Sequence, residues 1–105
     1  MVEHVVMGPH RYAVRFVEKL SKKRRVGEAC VVTNTIALRN DQSASNLRST
    51  MLHEILHHAV YSAAARFADG WTDELEESFI CAVEGPLLEL WTREENAPLR
   101  AWLQS

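Results

Sequence analysis

A chain of 105 residues has room for one domain with a modest core, so residues 1–105 are read as a single unit. Its composition, 47% hydrophobic and 25% charged, is ordinary for a soluble globular protein. A formal net charge of −2 excludes a global electrostatic pull toward nucleic acid or anionic membrane, and no apolar run approaches the ~20 residues of a membrane span.

In chain order, the opening MVEHVVMGPH carries acid and histidine in place of a basic region followed by an apolar stretch. It does not read as a signal peptide, and a cytoplasmic protein is expected. Val5-Val6-Met7 is a possible strand, Gly8-Pro9 is a turn signal, and Tyr12, Val14 and Phe16 alternate with Arg11, Ala13 and Arg15. That period of two belongs to a half-buried strand. Lys22-Lys23-Arg24-Arg25 reads as a solvated loop between strands. Cys30, Val32, Ile36 and Leu38 keep one parity along residues 29–39, and Asn34 is a candidate tight turn that splits the stretch into a hairpin. Cys30 and Cys81 lack metal-ligand spacing, and two reduced, partly buried thiols are expected.

Near residue 43 the period changes. Candidate N-caps lie among Asp41–Ser45, and Leu52, Leu56, Ala59, Ala63 and Phe67 follow a helical stripe, giving a helix over 43–68 with Gly70 as its stop. Thr72 or Asp73 caps a second helix that runs to about Arg93, with a kink expected at Gly85-Pro86. Asn96-Ala97-Pro98 marks a break before a short terminal turn or helix. The fold expected is α+β: a small antiparallel sheet of three or four short N-terminal strands packed on two helices. Trp71, Trp91 and Trp102 read as cover for the core, with Trp71 nearest the functional end.

The first helix carries His53-Glu54-Ile55-Leu56-His57, an H-E-x-x-H pattern. Positions four apart share one helix face, with Cβ atoms about 5–6 Å apart, so two imidazoles there can bind one Zn²⁺. The glutamate between them, Glu54, is placed to take a proton from the attacking water. A third protein ligand is needed, and the acidic start of the second helix supplies candidates in Asp73, Glu74, Glu76 and Glu77. Glu76 lies four residues before Ile80 and seven before Val83, on the inward stripe, where a carboxylate is costly unless paired or metal-bound. Glu76 is therefore the expected ligand, with Glu77, about 100° away around the helix, in reserve. For the developing oxyanion, Tyr61 or His58 can donate. Asp69 and Asp73 are possible partners for a ligand imidazole.

The segments STMLHEILHHA and DELEESFICAVEGPLLELW, with VVMGPHRYAVRF and GEACVVTNTIAL before them, resemble the small HExxH peptidase-like proteins of phages and prophages. These are similar to the ImmA/IrrE group and, distantly, to thermolysin-like gluzincins. The resemblance implies a zinc metallopeptidase acting on a protein or peptide substrate, with a glutamate of the helix after the motif helix as third ligand. That role falls on Glu76, or on Glu77 if the register is off by one. A catalytically silent, zinc-stabilised binding module is the alternative.

Overall fold

The computed structural model describes residues 2–22, 24–62 and 69–105. Four strands come first: β1 His4–Met7, β2 His10–Val17, β3 Gly27–Cys30 and β4 Thr35–Arg39. Helices α1 Ala44–Ser62 and α2 Asp73–Thr92 follow, and a 3₁₀ turn over Glu94–Asn96 leads into α3, Ala97–Leu103. The protein is α+β, as its change of period implies. No helix among the described residues is long and apolar enough to cross a membrane.

The sheet order is β1-β2-β4-β3. β1 pairs antiparallel with β2 through a turn in which Gly8 takes a positive φ of 56°. β3 and β4 form the hairpin expected around Asn34, which sits at φ 51°. The central pairing, β2 with β4, is parallel, with Val14 opposite Ile36 and Phe16 opposite Leu38. The sheet is therefore mixed, not antiparallel throughout. The chain leaves β2, forms edge strand β3, and returns through Asn34 so that β4 enters the centre running alongside β2.

One sheet face meets α1. Tyr12, Val14, Ile36 and Leu38 are buried there, and Leu47, Met51 and Ile55 of α1 pack against them. These helix positions are spaced by four, so the core stripe of α1 runs one residue away from the Leu52–Leu56 line. Ala63, Phe67 and the expected end of the helix at 68 lie outside the described residues. Ser43 caps α1, its hydroxyl accepting from Asn46 N–H at 3.2 Å. His58 is fully buried, its ring 4.1 Å from that of Tyr12 between centroids, and its Nε2–H donates to the Thr35 carbonyl at 3.1 Å. Burial pushes its pKa down, which keeps the ring neutral in the core. The Tyr12 hydroxyl is hydrogen-bonded to that of Ser62 at 2.9 Å.

β3 presses on α1 at one glycine. Gly27 lies opposite Leu38 on the helix-facing side of the sheet. A Cβ at this position would come 2.5 Å from Cγ2 of Thr50 and 3.0 Å from Oε2 of Glu54. Any other residue there would have to displace the Thr50 side chain.

α2 is capped by Thr72, whose hydroxyl accepts from Leu75 N–H at 3.0 Å, and Asp73, Glu74 and Glu76 place negative charge in its first turn. It continues through Pro86 to Thr92 as one helix. Ile80 is its one buried residue. Trp91 and Trp102 are 57% and 72% exposed, so they do not cover the core. Both cysteines are free and exposed, where partly buried thiols were expected.

Candidate metal centre

α1 turns its two faces to different tasks. Leu47, Met51 and Ile55 look to the sheet, while His53 and His57 look to α2 across an open cleft of about 850 Å³. The two rings are 5.0 Å apart between centroids, as one helical turn requires.

Both imidazoles present Nε2 to the same carboxylate. Nε2 of His53 is 2.9 Å from Oε1 of Glu77, and Nε2 of His57 is 3.0 Å from Oε2. Their other nitrogens are also engaged. Nδ1 of His53 is 2.6 Å from Oε2 of Glu84, and Nδ1 of His57 is 2.7 Å from Oε2 of Glu76. Glu76 is held in turn by the indole N–H of Trp71, which donates to its Oε1 at 3.1 Å.

This arrangement has a tautomeric consequence. A carboxylate only accepts, so Glu76 and Glu84 fix a proton on each Nδ1. In the neutral rings each Nε2 then offers a lone pair. Those two lone pairs face Glu77, another acceptor. Three acceptor groups converging on one point need a cation between them: either a second proton on each ring or one metal ion. The ligand atoms of His53, His57 and Glu77 lie within 4.8 Å of one another. Two imidazole nitrogens and a carboxylate oxygen are donors that zinc takes, at about 2.0–2.2 Å. The carboxylates behind the rings are the partners that metal-binding histidines ordinarily have. In the metal-free protein, burial opposes charge on His53, but Glu84, Glu77 and Glu54 together outweigh it and raise its pKa.

Glu76, expected in the metal position, lies on the far nitrogen of His57, and Glu77 occupies the position between the two Nε2 atoms. Glu84, one residue from the glycine of Gly85-Pro86, has no counterpart in the sequence reading. Its signal was present: it lies seven residues after Glu77, two turns along the same face. Asp73 reaches the cleft wall, but the imidazole partners are Glu76 and Glu84.

No protein family, curated protein or solved structure matches this chain. The site is therefore read from its own chemistry.

Glu54 lies in the same cleft, on the β3 side of α1, and its side chain is buried against Gly27. Burial raises its carboxyl pKa, while His53 and His57 pull it back down. A carboxylate that is hard to keep charged is a better proton acceptor than one in water. Tyr61, one turn beyond His57, lines the cleft. His58 does not, since its ring is in the core against Tyr12. Of the two candidate oxyanion donors, only Tyr61 has access.

Proposed function

We propose that this protein is a zinc-dependent hydrolase of peptide bonds, with His53, His57 and Glu77 as metal ligands and Glu54 as general base. The observation that carries this reading is the convergence of the Nε2 atoms of two imidazoles and one carboxylate on a point in an open cleft that also holds Glu54. The likeness to small HExxH peptidase-like proteins belongs to the same proposal. Two free thiols fit a reducing compartment, and the cytoplasm is the proposed location.

Zinc in this position would polarise a substrate carbonyl and acidify a water molecule. The chain's own residues do the rest. Glu76 and Glu84 hold the imidazoles at fixed tautomer and orientation. Glu54 accepts a proton from the attacking water and passes it to the departing amine, so the peptide C–N bond breaks as a new C–O bond forms. Tyr61 stands at the cleft wall where its hydroxyl can donate to the developing oxyanion.

A second reading has its own support. With Ile80 as its one buried residue, α2 has little apolar attachment to the rest of the fold, so a metal bridging α1 and α2 would stabilise the domain even without turnover. Metal content decides first. Protein purified without added metal, or dialysed against zinc, is expected to carry one zinc per chain, and the His53→Ala variant none. A wild-type chain that refuses zinc sinks both readings. Peptide libraries and unfolded proteins, incubated with the zinc-loaded chain with and without chelator, then separate them. Chelator-sensitive cleavage supports the hydrolase, and its absence in a fully loaded protein supports the binding module.

A further inference from the structure

The connection between β2 and β3 brings two guanidinium groups to the cleft. Arg24 and Arg25 line it from the sheet side, and Asp73, Glu74, Glu76 and Glu77 line it from α2. The two walls are opposite in sign. Among the described residues, the arginine ion pairs within 4.0 Å are those of Arg39 and Arg93, while the charge of Arg25 acts at longer range on Glu28 and Glu54. Both cleft arginines are exposed.

The backbone that carries them is fastened. Nη1 of Arg39 donates to the Arg25 carbonyl at 3.2 Å, and Nε2 of Gln42 donates to the Val26 carbonyl at 2.9 Å. Arg39 N–H donates to the same Val26 carbonyl at 2.9 Å. The other end of the Gln42 amide is held by α1: the Thr50 hydroxyl donates to its Oε1 at 2.9 Å. Thr50 is one turn before His53. Gln42 thus bridges the arginine turn to the helix that carries both histidines, and the backbone from which both arginines extend is held against that helix.

We propose that Arg24 and Arg25 form an anion-recognition rim, and that the peptides taken by this cleft carry a carboxylate beside the bond to be cleaved. Guanidinium groups bind carboxylates through paired N–H donors in a planar fork. The α2 wall repels the same group, so the two walls together select its direction as well as its presence. The carboxylate belongs to an aspartate or glutamate side chain, or to a peptide C-terminus. The cleavage part of the proposal rests on the hydrolase reading, but the recognition part does not.

The test is binding of fluorescent peptides of one length to the full chain in zinc, followed by anisotropy. The peptides carry glutamate, glutamine or lysine at the same positions, each with a free or an amidated C-terminus. Acidic peptides are expected to bind about tenfold tighter than their glutamine counterparts, equivalent to about 1.4 kcal/mol. The preference should shrink as salt is raised. It should vanish in the double variant Arg24→Gln/Arg25→Gln and return in part in Arg24→Lys/Arg25→Lys. Glutamate bound tighter than glutamine in amidated peptides assigns the carboxylate to a side chain, and free ends bound tighter than amidated ends in glutamine peptides assign it to the peptide end. Equal affinity for glutamate and glutamine peptides together with no loss on amidation, or a preference undiminished in the double glutamine variant, overturns the rim. Zinc content measured on the same samples separates the two readings. A zinc-free chain that still selects acidic peptides overturns the metal centre and upholds the rim, whereas a zinc-loaded chain that does not select overturns the rim alone.

Discussion

Replacing Glu54 with glutamine is expected to slow peptide hydrolysis by about 10²–10⁴-fold while leaving fold and zinc content unchanged, since that is the usual contribution of a general base. The substitution is nearly isosteric. That matters here because the Glu54 side chain is 7% exposed and packs where β3 comes closest to α1, at Gly27. A smaller residue would open a gap at that contact and confuse loss of base with loss of packing. Glutamine fills the same space and cannot take a proton. The rate should be measured on purified, zinc-loaded protein against a chelator blank, with circular dichroism and zinc content on the same samples. An Glu54→Gln variant that matches wild type in that assay removes Glu54 from the mechanism.

The second large effect concerns the helix register. Glu77→Ala should abolish stoichiometric zinc, because it removes the carboxylate to which both Nε2 atoms point. Glu76→Ala and Glu84→Ala should leave zinc bound but about 10–100-fold weaker, the usual cost of losing the partner behind a ligand histidine. Titration against a chromophoric chelator resolves the difference. If Glu76→Ala abolishes binding and Glu77→Ala keeps it, the carboxylate between the two imidazoles is not the ligand.

The Glu76–Glu77 distinction shows where sequence reasoning gave out. Periodicity locates apolar surface: of the inward stripe Phe79, Ile80, Val83, Leu87 and Leu90, Ile80 is buried, while Phe79, Leu87 and Leu90 are exposed. The carboxylate that lies between the two imidazoles is not on that line but on its flank, at Glu77, with Glu84 on the same face, one residue and 100° around. An inward stripe says where a carboxylate is costly, and a cleft puts its ligands at the border. His58 failed in the opposite way: next to His57 in sequence, it points to Tyr12 and the Thr35 carbonyl as a neutral core residue. In the N-terminal half, the alternation around Tyr12–Phe16 and Ile36–Leu38 identified the strands and their buried faces, and Asn34 marked the hairpin. Alternation carries no information on strand order, so the parallel pairing of β2 with β4 was not legible. Nor was the role of Gly27, since a lone glycine at a strand start looks like any turn residue until a helix is found against it.

His53 and His57 stand on a helix whose other side is locked into the sheet by Leu47, Met51, Ile55 and the fully buried His58, and whose flank is seated on Gly27. Glu77 stands on a helix with one buried residue, Ile80. Mechanically these are the fixed and the moving jaw of a vice. Work done at the centre, whether by drawing three ligands onto an ion or by admitting a bulky side chain, is absorbed by the softer mount. Amide chemical-shift changes on adding zinc should therefore gather in Asp73–Thr92 and fade across β1, β2 and β4. Shifts of equal size in the sheet would mean that the jaws travel as one block.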